Sequence, residues 1–245
     1  MGLNYFIFDG ESSLDYGVYI GGQGTYNAPQ RDIKKVSIPG RNGDLIMDNG
    51  RYLNAEVSYN IIVMDNFRHK TDAIRAWLSK PITYARLEDT YHPDEFRMGM
   101  LTGGVIFETG AFNKTGKATI TFDCKPERFL KSGEIPIVIK DDEELSGKII
   151  NPTKYPCKPL IRVNLKAGQT TGTVTIGNQA IVISGASGYV DIDSALMDCY
   201  KGAVNCNSQI TLGSDGFPIF EPGETGISYS STIDSITITG RWWTL

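Results

Sequence analysis

Two aspartates offer the closest approach to a chemical site in this 245-residue chain. Asp191 and Asp193 alternate along a predicted strand, so their carboxylates point to the same side. Paired carboxylates of this kind could ligate calcium. The alternative, an exposed strand face in water, is the favoured interpretation, and no metal site is predicted.

The sequence lacks the signatures of an enzyme. His69 and His92 are its only histidines, a poor supply for Ser/His or Cys/His catalysis. His69 falls on the polar side of a predicted helix, and His92 precedes a proline in a turn. The run Gly185–Tyr189 departs from the Gly-x-Ser-x-Gly elbow at its last residue, and no phosphate-binding loop is present. We therefore predict no catalytic residues and no cofactor.

The four cysteines do not form a zinc motif. Cys124, Cys157, Cys199 and Cys206 include no Cys-x-x-Cys pair, and no histidine lies near them in the sequence. We interpret them as reduced thiols, some of them buried.

Composition indicates a protein with a sizeable core and no membrane segment. Hydrophobic residues make up 40% of the chain, yet no apolar run approaches the ~20 residues that span a bilayer. The first residues do not resemble a signal peptide. Basic and acidic residues balance at 16 each over 1–133, whereas 134–245 holds 8 basic and 12 acidic residues. The absence of a basic cluster argues against nucleic-acid binding, and the uneven charge suggests two domains.

The first half alternates like an antiparallel sheet with one wet face. Apolar residues recur at every second position in Ala55–Ile61 and in Lys117–Lys125. One segment, residues 66–79, has helical spacing instead, with Asp65 or Asn66 placed to cap it and Trp77 as its packing anchor.

The pattern of the second half predicts short strands with turns every ~8–12 residues, as in a β-sandwich. Prolines and the acidic run Asp141–Glu144, predicted to be a solvated turn, separate the halves. We predict a mainly β protein. An N-terminal sandwich-like domain with one helix spans 1–133, and a galectin-like or carbohydrate-binding-module-like β-sandwich spans 134–245.

An early loop, Ser37–Leu45, carries more charge than a turn requires. Pro39, Gly40 and the Asn42-Gly43 dipeptide are turn residues, but Arg41 and Asp44 are not needed for the turn. A second turn follows at Asp48–Tyr52, with Arg51. These turns predict a charged arm that contacts a partner; the alternative is a solvated surface loop.

Several of these segments resemble the distal tail protein (Dit) family of long-tailed phages. The matching segments are Phe6–Gly10 with Asp15–Val18, Ile38–Leu45, Trp77-Leu78, Arg86–Asp89 with Tyr91–Pro93, Ile150–Thr153 with Pro159–Ile161, Phe217-Pro218 with Pro222-Gly223, and Arg241–Leu245. Each motif is modest, but their order covers nearly the whole chain.

The resemblance implies a structural protein of the tail tip, without catalysis. Members of this family form a hexameric ring through the N-terminal domain, which joins the tail tube protein to a tail-associated hub protein. The galectin-like outer domain often docks a receptor-binding protein. The expected place is the virion tail tip, after assembly in the cytoplasm of the bacterial host.

Two sets of site residues follow from the arm, the resemblance and the aromatic residues. The candidates for the subunit interface are Arg41, Asn42, Asp44, Arg51 and Asp89. The candidates for docking of a sugar or a partner are Tyr189, Asp191, Asp193, Trp242 and Trp243.

Two alternative functions remain open. Aromatic residues of the second half could form a sugar-stacking platform, which would make the chain a carbohydrate-binding adhesin for cell-wall glycans; otherwise most of these residues fill the core or a subunit contact. A small tail hydrolase is the third interpretation, and the missing acid/base residues weigh against it.

Overall fold

The computed structural model describes residues 3–22, 24, 26–64, 66–110, 114–140 and 146–245. It divides into two compact units: the first runs to Arg128 and includes Leu245, and the second spans Phe129–Thr244. This division falls near the predicted boundary at residue 133. Two sequence predictions, the cap at Asp65 and the turn at Asp141–Glu144, lie outside the described residues.

The first unit is built on one antiparallel sheet, a helix and a separate hairpin. The first ten strands are β1 (Phe6–Phe8), β2 (Glu11–Ser12), β3 (Val18–Gly21), β4 (Arg31–Val36), β5 (Leu45–Tyr52), β6 (Ala55–Val63), β7 (Ala85–Asp89), β8 (Glu95–Leu101), β9 (Glu108–Thr109) and β10 (Gly116–Leu130). The main sheet has the order β2-β1-β7-β8-β10-β6-β3, with β9 also paired to β10. Strands β4 and β5 pair only with each other.

The alternation read from the sequence places the core of this unit correctly. Strand β6 buries Ala55, Val57, Tyr59 and Ile61 and exposes the residues between them. Strand β10 pairs with β6 from Gly116 to Cys124, so their inward residues lie side by side. A 3-10 helix at Ser13–Tyr16 and α1 (Phe67–Ser79) complete the unit.

Helix α1 has the predicted extent, but its cap differs from the prediction. Phe67, Ile74, Trp77 and Leu78 form its buried stripe. Asn66 occupies the N-cap position in a left-handed conformation (φ 51°), and its side chain makes no capping hydrogen bond. An N-cap side chain bonds the first turn from an extended backbone, so the left-handed backbone explains why the predicted cap fails.

Strand β10 also continues further than the sequence suggests, since it passes Pro126 and ends at Leu130. Pairing with β6 stops at Cys124–Ala55. Pro126 lies beyond that pairing, so its missing N–H removes no hydrogen bond from this ladder.

The second unit is a two-sheet sandwich. Its strands are β11 (Ile137–Ile139), β12 (Ser146–Asn151), β13 (Leu160–Leu165), β14 (Thr171–Ile176), β15 (Gln179–Ser184), β16 (Tyr189–Asp193), β17 (Asp198–Lys201), β18 (Val204–Asn205), β19 (Ile210–Thr211), β20 (Gly223–Tyr229), β21 (Ile233–Thr239) and β22 (Trp243–Thr244). Short 3-10 helices lie at Lys131–Glu134 and Asn207–Gln209.

Both sheets of this sandwich contribute to one core. One sheet has the order β11-β21-β13-β16-β17-β18 and the other β12-β20-β14-β15-β19. Buried residues from the two sheets, such as Ile161 and Ile192 from the first and Val174 and Ile181 from the second, belong to a single apolar cluster. The predicted mainly β fold is thus confirmed.

Candidate functional site

The charged arm predicted from the sequence is a two-stranded hairpin formed by β4 and β5. Val36 pairs with Leu45 at the end nearest the turn, and Arg31 pairs with Tyr52 at the base. Neither strand joins a larger sheet among the described residues. Because an isolated two-stranded hairpin is marginally stable in water, the arm needs further contacts to hold its shape.

Ion pairs on both faces hold the base of the arm. Arg31 Nη2 lies 2.6 Å from Asp48 Oδ2, and its Nη1 donates to the Tyr52 hydroxyl at 3.0 Å. On the other face Arg51 Nε lies 2.6 Å from Asp32 Oδ2. The hydrogen bond from Arg31 lowers the pKa of Asp48, and the one from Arg51 lowers that of Asp32.

These pairs assign Arg51 a role inside its own chain. Its guanidinium secures the hairpin, although much of the side chain remains exposed. The sequence did not identify Asp32 as its partner, because the charges along one strand do not show which residues of the neighbouring strand lie opposite them.

The tip of the arm carries the remaining predicted interface residues. Arg41, Asn42 and Asp44 are all exposed. Gly40 and Gly43 adopt positive φ, as expected of turn glycines. Within the described part of the chain, the side chains of Arg41 and Asp44 make no ion pair or hydrogen bond, so both charges are free to meet a partner.

Apolar side chains lie beside those charges, a feature that sequence reasoning did not use. Ile46 is 53% exposed on one face of the hairpin, while Leu45 and Met47 are 42% and 51% exposed on the other. Contiguous exposed apolar residues mark interaction surfaces. The arm therefore offers apolar contact on both of its faces.

Asp89 is the last residue of β7 and is not part of the arm. Its carboxylate accepts hydrogen bonds from the Tyr59 hydroxyl at 2.6 Å and from the backbone N–H groups of Tyr91 and His92. Burial, followed by the nearby Asp89 charge, raises the pKa of Tyr59 well above its ordinary value. Asp89 thus orders the turn after β7, and its contacts give no support to a role between subunits.

The two aspartates of β16 are buried, so the expectation of an exposed strand face was wrong. Asp191 accepts two hydrogen bonds from Arg162, at 2.7 and 2.8 Å. Arg162 lies directly opposite Asp191 on β13. Strand alternation correctly put both aspartates on one side of β16, but it could not show which cross-strand residues cover that side.

Asp193 is the more constrained of the two carboxylates. Arg241 donates to both of its oxygens, at 2.7 and 2.8 Å, and the backbone N–H groups of Ala195 and Leu196 donate to Oδ1. Burial alone would raise the pKa of Asp193, but these hydrogen bonds outweigh it and lower the pKa. The described residues contain no cluster of three or more metal-ligating side chains, and both aspartates have arginine partners.

The aromatic candidates do not form an open stacking platform. Tyr189 is half-buried, with the Arg162 guanidinium 4.3 Å from its ring centroid and the Lys201 ammonium at 5.3 Å. Trp242 is buried in the core. Trp243 stacks on Tyr155 at 4.7 Å, and its Nε1 donates to the Pro156 carbonyl at 3.0 Å. Each candidate side chain already has a partner within the second unit.

The remaining reactive groups are the cysteines and the histidines. All four cysteines are buried free thiols. Burial raises the pKa values of Cys124 and Cys199 to about 12. His69 is exposed on α1, and His92 Nδ1 lies 3.1 Å from Asp89. No described helix combines the length and hydropathy needed to cross a bilayer.

Comparison with known proteins bears on the fold of the whole chain. No family model and no curated protein matches the sequence. The crystal structure of SPP1 Dit (gp 19.1), described as a paradigm of the hub adsorption apparatus in phages that infect Gram-positive bacteria, matches with a TM-score of 0.77. The match covers 100% of both chains at 15% identity. The chain has the fold of a Dit protein.

Two further structures extend the likeness to baseplates. The phage P2 baseplate in its activated conformation, with Ca and with Sr, matches with TM-scores of 0.54 and 0.52. Each match covers 97% of both chains at 14% identity. The Dit resemblance inferred from short motifs is thereby confirmed at the level of the fold.

Proposed function

We propose that this protein is a non-catalytic structural component of a phage tail tip. The observation that carries the proposal is the fold, which a Dit protein of a hub adsorption apparatus shares over the full length of both chains. Identity of 15% supports a shared fold and not a shared surface. The role therefore has to be tested on this chain's own residues.

In this proposal the first unit forms a homohexameric ring, which connects the tail tube to the tail-associated hub. A closed ring requires each subunit to offer two different surfaces in head-to-tail contact. The arm formed by β4 and β5 is suited to be one of them, because it carries unpaired charges at its tip and exposed apolar residues on both faces. Assembly would take place in the cytoplasm of the bacterial host.

The second unit faces outward in this arrangement and docks a receptor-binding protein. The alternative of a glycan-binding adhesin loses support from the contacts at Tyr189, since two cations lie over its ring and the nearby carboxylates are bound to arginines. A glycan array probed with the full chain separates the two functions. Saturable binding that Tyr189→Ala abolishes would overturn the docking role.

The arm provides the direct test of assembly. Replacing Arg41 and Asp44 together by Ala should weaken the oligomer and leave folding intact, because both side chains are free in the isolated chain. Charge pairs that become desolvated at a contact contribute ~1–3 kcal/mol or more, and a ring repeats each contact. Light scattering after size-exclusion chromatography measures the mass, and thermal unfolding checks the fold.

A matched control removes one basic and one acidic residue elsewhere. Arg68 and Asp72 lie exposed on helix α1, so Arg68→Ala with Asp72→Ala should assemble like the parent. If the arm variant also assembles like the parent, the charges at the tip are not a ring contact.

A further inference from the structure

Cys199 and Cys206 face each other across the hairpin formed by β17 and β18. Tyr200 pairs with Asn205 and Lys201 with Val204, so the next antiparallel pair outward is Cys199 with Cys206. The backbone confirms this register, because Cys206 N–H donates to the Cys199 carbonyl at 2.7 Å. The sequence alone does not reveal this pairing, because the spacing of the two cysteines matches no recognised motif.

The two side chains also share a face of the hairpin. Directly opposite residues in an antiparallel pair project to the same side of the sheet. Both thiols are buried in the core of the sandwich. Electrostatic coupling supports their proximity: the pKa of Cys199 is raised first by burial, and then by Asp198 and the Cys206 thiol.

The backbone spacing is within the range of a covalent bond. Opposite residues in a hydrogen-bonded antiparallel pair have Cα atoms roughly 5.5 Å apart, and disulfides span Cα separations of about 4.4–6.8 Å. Their Cβ atoms lie roughly 4.5–5.5 Å apart, and a disulfide needs about 3.5–4.5 Å, so the two side chains have to approach by about 1 Å for the bond to close. The side chain of Asn207 also holds Cys199 in position, because its Oδ1 accepts a hydrogen bond from the Cys199 N–H at 2.7 Å. The backbone is thus fixed on both sides of the pair.

We propose that Cys199 and Cys206 form a dithiol site that a small-molecule disulfide oxidises to an intramolecular disulfide. One protein thiolate attacks a sulfur of the oxidant and releases one small thiol, leaving a mixed disulfide. The second protein thiolate attacks the protein sulfur of that mixed disulfide and releases the second small thiol. Two electrons pass from the cysteines to the oxidant, and their two protons are left on the released thiols or the solvent.

The position of the hairpin allows this reaction despite the burial of the thiols. Strand β18 has two residues and ends the order of its sheet. Short edge elements open locally at low free-energy cost compared with the core. Oxidation therefore proceeds through opening of the hairpin, and the resulting bond fastens β17 to the chain that leaves β18.

A protein assembled in a reducing cytoplasm and released within a particle would close this bond outside the cell. This timing rests on the proposed function. The capacity for closure rests only on the hairpin geometry, so it can be tested on the purified chain whatever that chain's role.

Peptide mapping identifies the bond without ambiguity. Trypsin cuts after Lys201, which lies between the two cysteines, and places them in separate peptides, 167–201 and 202–241. Neither peptide contains another cysteine. The full chain is equilibrated with mixtures of oxidised and reduced glutathione, both folded and in denaturant, then alkylated and digested.

We expect the two peptides to be linked, with a mass two hydrogens below their sum, and at a larger fraction in the folded chain than in denaturant at the same glutathione ratio. Refolding from denaturant in the same mixture should reach the same fraction, so slow access to buried thiols cannot hide the bond. The Cys157→Ser variant is the matched control and should link 167–201 to 202–241 as the parent does.

The proposal is overturned if the linked fraction in the folded chain equals or falls below that in denaturant, because the fold then does not hold the thiols together. It is also overturned if Cys199 or Cys206 links preferentially to Cys124 or Cys157. The Cys206→Ser variant lacks the linked species by construction, and alkylation of Cys199 in that variant verifies the assignment of the linked mass.

Discussion

At the scale of single residues, Asp193 is a buried carboxylate on which several polar contacts converge. Five hydrogen bonds reach its carboxylate, from both terminal nitrogens of Arg241, two backbone N–H groups and the Tyr200 hydroxyl. The carboxylate thereby joins β16, the turn after it and the chain near the end of the second unit. These hydrogen bonds indicate a structural role for Asp193 and not a role in ligand binding.

Replacing Asp193 by Asn should destabilise the protein by ~3 kcal/mol, the lower end of the cost of breaking a buried ion pair. The lower end applies because Arg241 keeps some contact with water. Urea unfolding measures the effect. The control Asp234→Asn breaks an exposed pair with Lys140 and should cost no more than ~1 kcal/mol. Equal losses in the two variants would contradict this role.

The same contact makes a prediction about pH. Because the pKa of Asp193 is lowered in the folded state, its contribution is present above the unfolded value of ~3.9 and is lost as pH falls through the folded pKa. The stability difference between the parent and Asp193→Asn should therefore be constant near neutral pH and shrink below about pH 4. A difference that grows in acid would contradict the sign.

The turn beside Asp193 contains a strained residue. Met197 has φ 55°, a left-handed conformation, and its side chain is 67% exposed. Non-glycine residues are disfavoured there. We expect Met197→Gly to raise the free energy of unfolding by up to ~1 kcal/mol, because relief of strain outweighs the added freedom of the unfolded chain.

Leu196→Gly is the matched control, since Leu196 has the same exposure and no positive φ. This change should destabilise the protein, because it adds chain freedom and relieves no strain. If both glycine variants shift thermal unfolding in the same direction, strain at Met197 is not the cause.

At the scale of elements, helix α1 depends on Trp77. The indole stacks at 5.4 Å on Phe6 and at 4.5 Å on Tyr16, and its Nε1 donates to the Phe8 carbonyl at 3.2 Å. Trp77→Phe should cost ~1–3 kcal/mol through the lost hydrogen bond and the lost volume, and Trp77→Ala ~3–5 kcal/mol. His69→Ala, on the exposed face, should leave urea unfolding unchanged. If Trp77→Ala unfolds in urea at the same concentration as the parent, this packing is contradicted.

The periodicity of the apolar residues made these elements predictable, whereas the cross-strand register could not be read from the sequence. Helical spacing located α1 and named Trp77 as its anchor, and alternation located the buried face of β6. Asp191 was misjudged because its cover, Arg162, comes from a strand 29 residues away in sequence. Asn66 was misjudged because a residue type cannot reveal a left-handed backbone.

The arm shows the same limit at the level of an element. Turn residues predicted where the chain reverses and which charges lie at the tip. They did not reveal that Arg31 and Arg51 secure the base, since those ion pairs depend on how β4 and β5 are aligned. The turn residues also did not indicate that Leu45 and Met47 are exposed, because that exposure depends on whether another sheet covers the hairpin.

At the scale of the whole molecule, the two compact units predict a protease-sensitive connection. Limited proteolysis should first cut between about residues 126 and 150, since exposed connections between compact units are the preferred sites of cleavage. Strand β10 protects the chain as far as Leu130, so the first tryptic cuts should follow Lys131 or Lys140. Mass spectrometry of the fragments locates the cuts. A first cut inside either sheet would contradict the predicted boundary.

The proposed hexameric ring can be tested on the purified protein. Electron microscopy of the purified protein over a range of concentrations, with mass measured by light scattering on the same samples, tests it most directly. We expect six-fold rings with the mass of six chains, and the loss of those rings when Arg41 and Asp44 are replaced by Ala. A protein that remains monomeric at every concentration, or that assembles with another symmetry, would contradict it.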